Sequence, residues 1–172
     1  GNASYYFSNT LIESSGTLQI GEEAYQVSGS SWLDKEWSTS VLGRDQVGWD
    51  WFSIQLSDRR EIMLFQIRDV SGGTSEFSSG SFIDEKGNKS HLKREDFKIS
   101  VLAYWNSPRT KKRYPAKWQI RIPSRDLSLL IVPLMANQEH QHSFAYWEGA
   151  VGVEGQGKTG KGYVELTGYT SQ

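Results

Sequence analysis

Alternation with a period of two runs through nearly the whole chain, and it leaves little room for anything but β-sheet. The stretches "ASYYFS" (3–8), "TLQI" (17–20), "AYQVSGSSWLDKEW" (24–37), "VGWDWFSIQL" (47–56) and "EIMLFQIR" (61–68) all read as strands. So do 74–84, 97–105, 117–122, 127–134, 144–155 and 162–169. Turn formers stand between them: "SSG", "IGEE", "SDRR", "SGG", "EKGN" and "GQGKTGKG". At most one short helix is predicted, over "SHLKREDF" (90–97), with Ser90 as its cap. About ten antiparallel strands within one all-β domain spanning 1–172 imply a sandwich or a closed barrel. Closure removes the adhesive edges that so many strands would otherwise expose. In 61–68, Met63, Phe65 and Ile67 line one side while Ile62 and Leu64 line the other. Strands apolar on both faces favour a barrel whose interior holds ligand and whose exterior meets another domain.

Composition removes several functions. Net charge is -1 with acids and bases interspersed, so no nucleic-acid partner is expected. The basic run from Arg109 to Arg113, between Pro108 and Pro115, reads as a solvated loop. Without cysteine there is no disulfide, thiolate nucleophile or thiolate-bound metal. No apolar run approaches the roughly 18 residues of a membrane-spanning helix. "GNASYY" shows no charged-then-apolar leader, so any export signal lies outside this sequence. "EHQH" (139–142) has two histidines but no third ligand at a defined spacing, and with His91 these read as loop histidines. Neither a nucleophile elbow nor a true phosphate loop is present. No metal and no cofactor is expected.

The chemistry concentrates in aromatic–acid segments. In "SWLDKEW" (31–37), an extended strand puts Trp32, Asp34 and Glu36 on one face. Two carboxyl groups about 7 Å apart, Asp34 and Glu36, facing an apolar cavity beside aromatic rings would keep at least one of them protonated, as suits a proton donor, with the other as assisting base. The faces of Trp32, Trp49 and Trp51 would stabilise a developing cation. The other reading pairs Asp34 and Glu36 with Arg68, Lys35 or Arg44 and gives the tryptophans to the core. Asp50 points away from Trp49 and Trp51, and Arg68 is its expected partner. In "YWEGAVGVEG" and "GYVELTGY", Trp147, Glu148, Tyr163 and Glu165 are candidate ligand contacts, or else parts of the barrel closure.

"YYFSNT", "SGTLQI", "VSGSSWLDKEWSTSVL", "GWDWFSIQL", "EIMLFQIRD", "YPAKWQIRIP" and "YWEGAVGVEG…GYVELTGY" together resemble the AttH-like, carotenoid 1,2-hydratase-related family. The resemblance matches the second half of that family. It implies a lipocalin-like (calycin) antiparallel barrel, exported to the periplasm or cell envelope. It also implies a partner, the N-terminal lipocalin-like domain of the same protein or of a separate chain. In the hydratases an aromatic-x-Asp is implicated in protonating a carbon–carbon double bond, which falls here on Trp32 and Asp34. Their upstream His-x-Trp falls on Tyr5 to Phe7, where neither residue type is present. Tyr5 and Phe7 are therefore counted as ligand contacts. Three functions follow as expectations: binding an apolar small molecule or lipid, acid-catalysed hydration or rearrangement of an unsaturated one, and structural support of a partner domain.

Overall fold

A computed structural model describes residues 4–38, 42–141 and 144–170 of the chain. The chain divides into two compact units, residues 1–43 and 44–172. The first is a hairpin of β1 (Ser4–Ile20) and β2 (Glu23–Ser38), antiparallel from end to end. The break expected at "SSG" does not occur: Ser14, Ser15 and Gly16 pair with Gly29, Ser28 and Val27. Small residues on both strands of an open ribbon leave the ladder intact, so composition alone misreads them as a turn. The chain reverses at Gly21, whose φ of 61° suits the first position of a two-residue hairpin loop. Thr10 and Leu11 both stand opposite Trp32, a bulge between Asn9 and Ile12.

The second unit contains β3 (Gln46–Leu56), β4 (Glu61–Asp69), β5 (Ser79–Ile83), β6 (Lys89–Lys93), β7 (Lys98–Asn106), β8 (Arg113–Ile122), β9 (Leu127–Pro133), β10 (Glu139–Gln141), β11 (Ala145–Gly155) and β12 (Lys158–Leu166). They form one ten-stranded antiparallel sheet in the order β6-β5-β4-β3-β12-β11-β9-β8-β7, with β10 added on β11. The sheet curls into a half-barrel. Two observations require that curl. β6 and β7 lie at opposite ends of the sheet yet are consecutive in the chain, joined only by residues 94–97. Phe52 on β3 meets Trp118 on β8 edge to face at 5.6 Å, although four ladder steps would separate them by about 19 Å in a flat sheet. Arg125 ties the ends together, lying 4.7 Å over the Phe82 ring and donating to Ser90 Oγ at 2.8 Å.

No α-helix forms over 90–97. Ser90 belongs to β6, and a 3₁₀ turn at Arg94–Asp96 follows, with Asp96 accepting the Lys93 backbone N–H at 2.8 Å. So short a link between two sheet edges has no room for a helix. The "GQGKTGKG" segment is mostly strand, with a reversal at Gln156 and Gly157 alone, both at positive φ.

The concave interior is occupied by side chains. Phe52, Ile54, Ile62, Leu64, Trp118, Ile120, Leu129, Ile131, Val151 and Val164 are fully buried in one cluster. This corrects the expectation of an interior that holds ligand: alternation supplies an apolar inner face but not the size of the residues meeting across it.

Candidate functional site

On the hairpin, β2 presents Trp32, Asp34 and Glu36 to one face, with Tyr6 and Ser8 of β1 opposite Glu36 and Asp34. Asp34 is half-buried and Glu36 exposed. Asp34 Oδ1 accepts from Ser8 Oγ at 2.5 Å and from Trp32 Nε1 at 2.9 Å. Both bonds end on the same oxygen, and among the described residues none is made to Oδ2. Within the hairpin the expected ion pair to Lys35 is absent among the described residues. Lys35 instead lies 5.7 Å over the Trp37 ring. Tyr5 and Phe7 do not join this group. They pair with Trp37 and Lys35, on the face opposite Asp34. A one-residue difference in register puts a side chain on the other side of a strand.

In the second unit, pairing gathers the remaining candidates, apart from Trp147, on the outer face of the sheet. Trp49 and Trp51 point outward from β3, whereas Asp50 and Phe52 point inward and are buried. One row across the strands reads Phe65, Trp51, Glu165, Glu148; the next reads Met63, Ser53, Tyr163, Ala150. Ile67 lies opposite Trp49. Two carboxylates therefore face each other directly across β11 and β12, bordered by Trp51, Tyr163 and Tyr146. Burial, together with the charges of Glu148 and Glu165, pushes the Tyr146 and Tyr163 hydroxyls above their ordinary pKa. Tyr146 also hydrogen-bonds Glu148 and stacks on His140 with ring centres 5.3 Å apart. The result is an apolar wall with one hydrogen-bond-accepting, anionic end. Alternation already sets Met63, Phe65 and Ile67 on one face, but their place beside Trp49 and Trp51, like that of Tyr146, depends on cross-strand register, which is not readable in the sequence.

Trp147 is not part of this wall. It points inward, is 1% exposed, and donates its indole N–H to the Ala136 carbonyl at 2.9 Å. Its neighbours Tyr146 and Glu148 take the outer positions, as alternation requires. Asp50 pairs with Arg68 at 3.1 Å, as the strand pattern predicts. In the basic loop, Glu139 accepts from Ser107, Thr110 and Tyr114 and so anchors the turn. His142 lies outside the described residues, and no group of three metal-ligating side chains occurs among those described.

The AttH-like family model matches residues 1–169. An AttH crystal structure from Nitrosomonas europaea superimposes with a TM-score of 0.88 at 33% identity, covering 97% of this chain and 52% of that one. Kievitone hydratase from Nectria haematococca superimposes with a TM-score of 0.75 at 16% identity, covering 98% and 53%, a likeness of fold alone. This chain thus spans about half the length of these solved structures. No protein of curated function matches it. A family match over nearly every residue and a lipocalin-like half-barrel lead to one conclusion: the chain belongs to the AttH-like family.

Proposed function

We propose that this chain is one half of a two-part, exported cell-envelope protein that binds an apolar, lipid- or isoprenoid-like molecule on the outer face of its half-barrel. One observation carries the reading: the interior is packed, while Trp49, Trp51, Phe65, Met63 and Tyr163 form a partly exposed wall ending at Glu148 and Glu165. The paired carboxylates favour a ligand whose polar end donates hydrogen bonds, such as an isoprenoid alcohol. The remaining half is a lipocalin-like domain of the same protein, consistent with relatives about twice this length. Farnesol should quench tryptophan fluorescence saturably, and Trp51→Ala should weaken its binding about tenfold, the loss of one aromatic contact worth about 1.4 kcal/mol. Unchanged affinity in Trp51→Ala would sink the assignment.

A second reading, acid catalysis on an unsaturated substrate, is favoured by the geometry at Asp34. Ser8 and Trp32 fix the carboxyl group through Oδ1, which leaves Oδ2 to carry a proton to a double bond. The solved hydratase of this fold fits that chemistry. Asp34→Asn keeps both hydrogen-bond contacts at its amide oxygen but has no proton to give. It should lower hydration of a polyene by at least about a hundredfold with folding unchanged. Equal turnover in the variant would exclude Asp34 as the acid.

A further inference from the structure

The two faces of the β1–β2 hairpin differ in character, and the register shows it. Residues sharing a face with Asp34 are Ser4, Tyr6, Ser8, Glu13, Ser15, Thr17 and Gln19 on β1, and Ala24, Gln26, Ser28, Ser30, Trp32 and Glu36 on β2. This face is polar and acidic apart from Tyr6 and Trp32. The opposite face carries Tyr5, Phe7, Ile12, Leu18, Ile20, Tyr25, Val27, Leu33 and Trp37. All but Ile12 are exposed, from Val27 at 44% to Tyr5 at 82%. Scaled to full areas of about 150–250 Å² for such aromatic side chains, these fractions amount to on the order of 800 Å². That is about what one partner contributes to a stable interface. Isolated two-stranded ribbons are marginal in water, and here the apolar side is also open. The AttH structure that covers 97% of this chain is about twice as long, which supplies an occupant.

We infer that the Tyr5–Phe7–Leu18–Tyr25–Leu33–Trp37 face of the hairpin is the docking surface for the other half of the protein, an apolar sheet face, and that the Asp34 face stays open to solvent or ligand. The inference rests on the two-part reading above and adds the side of contact. It gives Tyr5 and Phe7 a role that the opposite-face placement denies them at Asp34: they hold the partner.

The chain has no cysteine, so single cysteines report each face without background from it. Tyr25→Cys and Leu33→Cys mark the apolar face; Gln26→Cys and Ser28→Cys mark the polar one. In the full-length protein with both halves, maleimide should label the first pair at least about tenfold more slowly than the second, as burial at an interface requires. In this chain alone all four should react at similar rates. Equal rates in the full-length protein, or protection of the polar face instead, overturn the inference. If separately produced halves associate while Tyr25→Cys and Leu33→Cys stay reactive, the docking face is wrong and the two-part reading stands. Halves that neither associate nor protect any site overturn both. Protection in the chain alone, at a dimer's mass, assigns the face to a second copy and also overturns the inference.

Discussion

Replacing Trp118 by alanine is expected to cost about 4 kcal/mol of folding stability, read as a shift in urea midpoint. The indole is fully buried on β8, meets Phe52 edge to face, and lies 6.3 Å from Trp147. Strands on opposite walls of the curl touch through it, so deleting it leaves a cavity that neither wall can reach across to fill. Among the described residues its Nε1 has no hydrogen-bond partner, which already costs the native state something. Trp118→Phe removes that unsatisfied donor along with some volume and should cost no more than about 2 kcal/mol. A loss below about 1 kcal/mol for the alanine variant would mean that the interior is loosely filled and has room for a guest.

The second large effect is expected at Asp50, which is 2% exposed. Its carboxylate accepts from Arg68 Nε at 3.1 Å and from the Tyr169 hydroxyl at 2.9 Å, while the Arg68 guanidinium lies 3.8 Å over the Tyr169 ring. Glycine makes this cluster possible. A Cβ on Gly48 would stand 2.7 Å from Arg68 Nη2, and Gly168, at φ +69°, turns the chain so that Tyr169 reaches back to Asp50. Asp50→Ala should cost about 3 kcal/mol at neutral pH, because the Tyr169 hydroxyl loses its acceptor and the Arg68 guanidinium keeps only the Thr167 carbonyl.

The pH dependence carries a separate sign. Burial pushes the Asp50 pKa up to about 6, more than the attraction of Arg68 and the bond from Tyr169 pull it down. Arg68 is 19% exposed and shares its charge with water, so it only partly offsets the desolvation. With the folded value above the unfolded one, this group's contribution to stability is fully present below about pH 4. It is lost as pH rises through about 6, a change on the order of 3 kcal/mol. Asp50→Asn should remove that slope between pH 4 and 6. A variant that keeps the wild-type slope would show that another group is responsible.

How much of this was legible in the residues differs from segment to segment. Period-two runs located β3, β4, β7, β8, β9 and β11 to within a few residues, because each carries large apolar groups at alternate positions. The short strand β6 is misread as the start of a helix and β10 as a loop, since "KSHLK" and "EHQ" are too short to show a period and are held by their neighbours. Within "YWEGAV", Trp147 and Glu148 are adjacent and point to opposite faces, so counting both as ligand contacts misplaces one; that Trp147 is the one facing the core depends on what lies across the sheet. The same gap hid the wall itself. Trp51, Glu165 and Glu148 are more than a hundred residues apart at the extremes, and only the β3–β12–β11 pairing makes them neighbours. The Asp50–Arg68 pair was readable because both residues sit on adjacent strands on the same inward face.

An apolar guest settles either against the outer wall or within the curl. The indole N–H resonances of the tryptophans report this directly during a farnesol titration. Saturable shifts at Trp49 and Trp51, with Trp118 and Trp147 unmoved, are the predicted result. Shifts at Trp118 and Trp147 with Trp49 and Trp51 unchanged would contradict it.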